Sequence, residues 1–174
     1  MNTPNKLTVL RMALVPVYIV LMYALETKIP ALIVYIIASF TDFLDGHIAR
    51  KYNLISDFGK FMDPLADKLL VTSALVIFSE QGMMPAWATM IIIAREFAVS
   101  GLRMVAAASG KVIAAAWSGK IKTPLSIVCI CVMMTPLCPA GGAVNIICIA
   151  LMVIVTVISG VEYFMKNGKV ISLK

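Results

Sequence analysis

Six long apolar runs, separated by short polar connections, make up most of the chain. Each run approaches the roughly 20 residues that a helix needs to cross the hydrocarbon core of a bilayer. The runs cover residues 7–25, 31–49, 61–79, 87–107, 121–137 and 144–164. This pattern predicts an all-α fold, namely a polytopic membrane protein with six transmembrane helices.

The first run opens with a segment of mixed character. Residues 5–11 combine polar and apolar side chains at helical spacing, as helices that lie along a membrane surface do. We therefore expect an N-terminal interfacial helical segment ahead of the first span. The run is long and lacks a small-residue cleavage site, so we expect it to be retained and not removed as a signal peptide.

The composition narrows the class of protein further. Of the 174 residues, 61% are hydrophobic and 14% are charged, which excludes an ordinary soluble domain. Six spans leave little chain for anything else, so we expect a single membrane domain over residues 1–174. The cysteines lie in apolar segments without a histidine at metal-binding spacing, and we expect reduced thiols at all four positions: Cys129, Cys131, Cys138 and Cys148.

The net charge of +6 has a topological explanation. With six spans, both termini share one side of the membrane with the connections that follow spans two and four. The basic residues of that side are Lys6, Arg11, Arg50, Lys51, Lys60, Lys111, Lys120, Lys122, Lys166, Lys169 and Lys174. The other side holds only Lys28. The positive-inside rule then predicts a multi-pass protein of the cell membrane with cytoplasmic termini and active site, and no nucleic-acid partner is needed.

Four acidic residues lie at the ends of predicted spans, where charge is costly. Asp42 and Asp45 lie near the end of the second run, and Asp63 and Asp67 lie near the start of the third. Spacings of three and four residues put each pair on one helix face, with Cβ atoms about 5 to 6 Å apart. Such carboxylates need a compensating cation. Two antiparallel helices would bring the pairs together as an all-oxygen site for two Mg²⁺ or Mn²⁺ ions.

Small and polar residues surround the acids. Gly46 follows Asp45 directly and Gly59 precedes Asp63 by four positions, so a ligand or a neighbouring helix can approach the backbone closely. Arg50 offers a fork of donors suited to phosphate, and Ser56 offers a hydroxyl. Taken singly, the glycines could serve only helix packing and Arg50 only the membrane boundary.

The spacing of these residues as a set is more informative than any of them alone. The chain reads Asp42-x2-Asp45-Gly46-x2-Ala49-Arg50-x8-Gly59-x3-Asp63-x3-Asp67. This pattern resembles, at every fixed position, the signature of the CDP-alcohol phosphatidyltransferase family. The signature leaves the position of His47 free, so we expect no role for that residue.

The resemblance implies a reaction and a role for each residue. Members of the family transfer a phosphatidyl or similar phosphoryl group from a CDP-linked donor to an alcohol and release CMP. Asp67 would be the catalytic general base. Asp42 and Asp63 would contact both metal ions and Asp45 one of them. The metal ligands would be Asp42, Asp45, Asp63 and Asp67, and the CDP-diacylglycerol-binding residues would be Asn5, Thr8, Gly46, Ala49, Arg50, Ser56 and Gly59.

Three further segments indicate the acceptor. Residues 3–11, 94–103 and 119–123 resemble the bacterial members that use sn-glycerol 3-phosphate and form phosphatidylglycerophosphate. Basic residues in the predicted fourth and fifth spans suit its dianionic phosphate, and we expect it to be bound by Arg95, Arg103, Lys120 and Lys122. Arg95, Glu96 and Arg103 all lie in the predicted fourth span, where isolated charges are disfavoured, and Glu96 and Arg103 share one helix face. Part of this group of three is therefore expected to form an internal ion pair.

Alternatives stay open at this point. Other family members, with serine, inositol phosphate or phosphatidylglycerol as acceptor, share the signature. A divalent cation transporter would also place acids in helices, although it would need them near the bilayer midplane. A membrane prenyltransferase usually needs more spans than this length allows. The sequence leaves a homodimer open.

Overall fold

The computed structural model describes the backbone of residues 3–51, 57–108 and 117–167. Within these ranges, side chains are described for residues 6–41, 62, 65, 66, 68–106 and 117–167. The described part is helical, and its elements are α1 Thr3–Ala24, α2 Ile29–Lys51, α3 Asp57–Glu80, α4 Ala86–Ala108, α5 Trp117–Met133 and α6 Ala143–Asn167. The prediction of an all-α fold is confirmed, with one helix for each apolar run.

The largest difference from the predicted boundaries concerns α5. This helix begins at Trp117 and ends at Met133, earlier at both ends than the predicted range 121–137. The helix stops ahead of Pro136 because the residue before a proline disfavours the helical conformation. In the turn that follows, the carbonyl oxygen of Thr135 accepts a hydrogen bond from the backbone N–H of Cys138, with an N···O distance of 3.1 Å. The four cysteines are free thiols, as expected.

The segment expected to lie in the membrane interface is continuous with the first predicted span. Residues 3–24 form one helix, α1, without a break. Thr8 and Arg11, both within the expected interfacial segment, are fully buried. This burial follows from tertiary contacts, because α1 packs against both α2 and α3.

The end of α3 shows how the sequence sets a helix boundary. Gly82 has φ of +69°, a conformation that suits glycine because other side chains are strained there. The N–H of Gly82 donates to the carbonyl of Ser79, and the N–H of Met83 donates to that of Phe78 at 2.8 Å. These two bonds form a Schellman motif. Pro85 then precedes the first residue of α4.

Three connections meet at one end of the helix bundle, which we call the loop end (residues 25–28, 81–85 and 134–142). Asn145, at the start of α6, donates from Nδ2 to the Met83 carbonyl at 3.0 Å and accepts from the Gly141 N–H at 3.2 Å. Lys28 Nζ lies 2.7 Å from the Met83 sulfur. The opposite end therefore holds the last turns of α2 and α4 and the first turns of α1, α3 and α5.

The structure buries several polar and charged side chains together with its apolar core and leaves many large apolar side chains exposed. Buried side chains include Arg11, Lys122 and Asn145, whereas large apolar side chains are exposed on all six helices. By length and composition, two helical stretches within the described residues could cross a membrane, Lys6–Ala24 and Ala143–Asn167. Of the others, α4 carries three charged residues and α5 has 17 residues.

Candidate active site

The predicted metal ligands lie on two helices that contact each other. Asp42 and Asp45 lie in α2, and Asp63 and Asp67 lie in α3. Both pairs fall inside continuous helix, so the expectation that each pair shares a face is met by the backbone. The two helices pack against each other and against α1. The side chains of all four aspartates lie outside the described residues, and their convergence on metal ions stays a prediction.

Most of the predicted donor-binding residues are also outside the side chains that the structure describes. Gly46, Ala49 and Arg50 lie in the last turns of α2, and Gly59 lies in the first turn of α3. Ser56 falls in the undescribed stretch 52–56, and the side chain of Asn5 in α1 is likewise undescribed. Among the described side chains, no group of three histidines, cysteines or acids is placed to hold a metal ion.

Thr8, the remaining donor-binding candidate, is fully buried in α1, and so is Arg11 three residues further along. A buried guanidinium is costly unless it is paired. The helices that α1 contacts are α2 and α3, which carry the four aspartates. From the sequence, Arg11 was expected to contribute to the charge of the cytoplasmic side and had no predicted contact. Thr8 and Arg11 are three residues apart and therefore lie on the same face of α1. This spacing could have indicated that Arg11 shares the environment of Thr8, a predicted donor-binding residue.

A cluster of charges around Glu96 lies between α3, α4 and α5, and we call it the Glu96 cluster (Lys68, Arg95, Glu96 and Lys122). Lys122 Nζ and Arg95 Nη1 both bind Glu96 Oε1, the latter at 3.1 Å. Lys68 Nζ lies 3.8 Å from Glu96 Oε2. The side chains are 5% to 18% exposed. Three cations share one carboxylate, so the cluster keeps an excess of positive charge.

Helix α6 supports the arginine of this cluster. Arg95 Nη2 donates a hydrogen bond to Ser159 Oγ. A Cβ on Gly160 would lie 3.2 Å from Arg95 Cγ, and one on Gly119 would lie 3.8 Å from Arg95 Nη2. Gly160 thus leaves room for the arginine beside α6, whereas a Cβ at Gly119 would make only an ordinary contact. Within the described part, the Nε of Arg95 is buried without a hydrogen-bond partner.

The expected internal ion pair is present between Arg95 and Glu96, whereas Arg103 is not part of it. Glu96 pairs with Arg95, Lys68 and Lys122. Arg103 donates instead to Tyr163 Oη at 3.2 Å and lies 5.6 Å from the centre of that ring. Seven residues of helix separate Glu96 from Arg103 by about 10.5 Å. A shared face is therefore not sufficient for contact, because nearer cations from other helices compete for the carboxylate.

The four residues expected to bind the acceptor phosphate fall into separate environments. Arg95 and Lys122 meet at Glu96, whereas Arg103 lies against Tyr163. Lys120 is exposed, although Lys122 is 4% exposed. Side chains two positions apart on an α-helix differ in direction by about 200°, so Lys120 and Lys122 point to different sides of α5. The role of all four in binding an acceptor stays a prediction.

The loop end offers weaker chemistry for an anionic substrate. An open cavity of about 540 Å³ lies there, lined by residues that include Lys28, Gln81 and Cys138. Lys28 is the one basic residue in its lining, and burial lowers the pKa of its amine. The four aspartates lie in the halves of α2 and α3 that are away from the loop end. The Glu96 cluster lies near the middle of α3 and α4 and in the second turn of α5. The candidate site is therefore placed away from the loop end.

The protein is a helical bundle in which α2 and α3 each carry a pair of acids. A largely buried cluster with excess positive charge lies between α3, α4 and α5. The chain matches the CDP-alcohol phosphatidyltransferase family over residues 1–158. The match covers most of the chain, and the protein belongs to this family.

Individual relatives extend the agreement to nearly the full length. The chain is 44% identical to the CDP-diacylglycerol–glycerol-3-phosphate 3-phosphatidyltransferase of Bacillus subtilis, over 95% of each chain. It is 37% identical to the protein of the same name from Rickettsia typhi, over 94% of this chain and 95% of the relative. The Escherichia coli protein of that name is 38% identical over 73% of each chain. The resemblance inferred from the motif is confirmed.

Proposed function

We propose that the protein transfers a phosphatidyl group from CDP-diacylglycerol to sn-glycerol 3-phosphate, giving phosphatidylglycerophosphate and CMP. It would then be a phosphatidylglycerophosphate synthase. The observation that carries this proposal is the near-full-length similarity to relatives named for that reaction. The Glu96 cluster adds a physical reason, because its excess positive charge suits an acceptor that carries a phosphate.

The proposed setting is the cell membrane, crossed by six helices of a single domain, with both termini and the active site facing the cytoplasm. An apolar outer surface supports this setting, since water disfavours large exposed apolar areas and lipid accepts them. Examples from the six helices in order are Val20, Ile36, Val76, Phe97, Val128 and Ile154. The charges of Arg95 and Glu96 in α4 are turned into a cluster and not toward lipid.

Two divalent cations, Mg²⁺ or Mn²⁺, are proposed as cofactors held by the four aspartates. Carboxylates are the ligands that these hard cations prefer. The donor set fits, because α2 and α3 each carry one pair at helical spacing and the two helices are in contact. When bound, such ions neutralise the charge of the diphosphate in the donor. The proposed ligands are Asp42, Asp45, Asp63 and Asp67.

The residues of the chain would perform the remaining steps. Asp67 is the proposed general base and takes the proton of the C1 hydroxyl of glycerol 3-phosphate. The hydroxyl oxygen then bonds to the phosphorus that bears diacylglycerol, and the bond from that phosphorus to CMP breaks. The CDP moiety would be held by Asn5, Thr8, Gly46, Ala49, Arg50, Ser56 and Gly59. The acyl chains would remain in the bilayer.

Basic residues outside the aspartate motif are proposed to bind the acceptor phosphate. Lys122 and Arg95 are the best placed, because both are largely buried and lie together. Charge-assisted hydrogen bonds are stronger where water is excluded. Arg103 and Lys120 are proposed to guide or hold the phosphate from the more exposed side of the site.

An acceptor panel tests the proposed reaction. Purified protein with labelled CDP-diacylglycerol and Mg²⁺ or Mn²⁺ is expected to use glycerol 3-phosphate and to use plain glycerol very poorly. Glycerol presents the same hydroxyl without the phosphate, so the ratio of kcat/KM values reports recognition of the phosphate. Serine, inositol phosphate and phosphatidylglycerol complete the panel. Preferred use of any of these three would replace the proposed acceptor and keep the family chemistry.

Replacement of the basic residues tests how the acceptor is held. Lys122→Ala is expected to raise the KM for glycerol 3-phosphate by about tenfold or more, because a charge-assisted bond of about 1.5 to 3 kcal/mol is lost. Arg103→Ala and Lys120→Ala should change that KM in the same direction. The KM for CDP-diacylglycerol should move much less.

Lys166→Ala is the matched control for this series. Lys166 is 63% exposed and pairs with Glu162 four residues before it in α6. Its loss should leave both KM values near those of the parent. If the three test variants also keep the parental KM for glycerol 3-phosphate, their cations only anchor the topology.

A further inference from the structure

We infer that Glu96 is a positioning residue that holds Arg95 and Lys122 in place for the acceptor phosphate; this inference rests on the proposed function. The residues predicted to bind the acceptor phosphate are all basic, and the structure places the Glu96 carboxylate between two of them, Arg95 and Lys122. Its role would be to orient the cations, without touching the reacting atoms.

The Glu96 carboxylate contacts a residue of its own helix and one residue from each of two other helices. Its Oε1 accepts from Lys122 in α5 and from Arg95 in α4, and its Oε2 faces Lys68 in α3 at 3.8 Å. Both carboxylate oxygens are therefore used. Since each contact comes from a side chain that is at most 16% exposed, solvent contributes little to holding these cations in position.

Charge balance explains why an acid is needed. Lys122 is 4% exposed, and a buried ammonium is unstable beside other cations unless an anion is near. Without Glu96, Arg95, Lys68 and Lys122 would repel one another and the two lysines would turn toward water. With Glu96 present, two positive charges remain in excess, which would balance the two negative charges of a phosphate monoester dianion.

The space beside the cluster also constrains how a phosphate arrives. A cavity of about 20 Å³ is lined by Lys68, Thr72, Glu96, Lys122, Thr123 and Ser126. This volume holds about one water molecule, so a phosphate group does not fit without a rearrangement. An exchange of partners would make room, with Lys122 and Arg95 turning from the carboxylate to the phosphate oxygens.

The cluster also joins the acceptor cations to the helix that carries the proposed base. Lys68 follows Asp67 directly in α3, and its pairing with Glu96 ties this turn of α3 to α4. A change at Glu96 should therefore affect the acceptor. The donor-binding candidates lie on α1, on α2 and before Asp63, and they are not in the cluster.

Steady-state kinetics with both substrates test the inference. Glu96→Gln keeps the size of the side chain and removes its charge, so we expect a rise of about tenfold or more in the KM for glycerol 3-phosphate. The KM for CDP-diacylglycerol should change less than about threefold. Glu96→Asp retains the charge, so its KM for glycerol 3-phosphate should lie between those of Glu96→Gln and the parent. Glu162→Gln is the matched control, because that carboxylate pairs with Lys166 and Ser118 outside the cluster.

A double-mutant cycle separates positioning from general damage. If Glu96 acts through Lys122, the loss of kcat/KM in Glu96→Gln/Lys122→Ala should be smaller than the product of the two single losses. Multiplied losses, an unchanged KM for glycerol 3-phosphate, or equal rises in both KM values would each overturn the inference. If Glu96→Gln does not fold, Glu96→Asp decides, since it must still raise the acceptor KM selectively.

The acceptor preference of the parent protein distinguishes a failure of the proposed function from a failure of the role inferred for Glu96. A parent that ignores glycerol 3-phosphate in the acceptor panel contradicts the proposed function, and the inference falls with it. A parent that uses glycerol 3-phosphate, together with a Glu96→Gln variant of parental KM, overturns the inference alone.

Discussion

Removal of divalent cations with excess EDTA is expected to lower turnover by roughly 10³-fold or more. Metal ions at a diphosphate contribute several kcal/mol to transition-state stabilisation, and each 1.36 kcal/mol corresponds to a factor of ten. The four aspartates of α2 and α3, which lie at helical spacing on contacting helices, are the proposed ligands. The measurement is CMP release from CDP-diacylglycerol before and after chelation.

Restoration of activity is the control for this experiment. Mg²⁺ or Mn²⁺ added after chelation should return most of the turnover, which shows that EDTA did not unfold the protein. Ca²⁺ accepts looser geometry than either ion, so we expect it to restore less. Full activity in excess EDTA would contradict the two-metal proposal, although the family assignment would remain.

Asp67→Asn is expected to lower kcat by at least about 100-fold, because an amide cannot take the proton of the acceptor hydroxyl. The amide keeps the shape of the side chain and one oxygen that can still bind a metal ion. Most of the metal affinity should therefore be retained, and the KM for CDP-diacylglycerol should change little. The measurement is a two-substrate kinetic series at saturating Mg²⁺.

Two further acid-to-amide variants show whether the effect is specific to Asp67. Asp42→Asn removes a proposed ligand of both ions, so it should weaken metal activation and donor binding together. Glu26→Gln makes the corresponding acid-to-amide change at an exposed residue of the loop end and should behave like the parent. If Asp67→Asn turned over at nearly the parental rate, another group would have to be the base, and His47 would be the first to test.

The helices were largely predictable because each depends on information that is local in the sequence. Apolar runs specify where a helix forms, and features such as Gly82 and Pro85 between α3 and α4 specify where one ends and the next begins. The shift of α5 toward residue 117 was less predictable. Its first turn contains Ser118, Gly119 and Lys120, which carry little hydropathic signal, although Ser118 and Gly119 contact α6.

The candidate site was predictable to the extent that one motif contains it. The spacing of Asp42, Asp45, Asp63 and Asp67 identified the family, because fixed positions along two helices fix a shared face. The Glu96 cluster, which contains two of the residues proposed to bind the acceptor, instead combines side chains from α3, α4 and α5. Lys68 received no role in the sequence analysis, since a lysine beside an aspartate in one helix gives no sign of a partner 28 positions later.

The burial of polar groups is a property that the sequence pattern did not determine and the tertiary structure did. The sequence by itself determined the helical elements, the pairing of the acids and the family, all of which follow from patterns within about one helical turn or within one motif. Only the tertiary structure decided that Arg11 and Lys122 are buried while Lys120 is exposed. It also decided that Glu96 pairs with Lys122 and not with Arg103. The physical reason is that a charge in a bundle takes its partner from whichever helix packs nearest, and that choice depends on helix packing and not on separation along the chain.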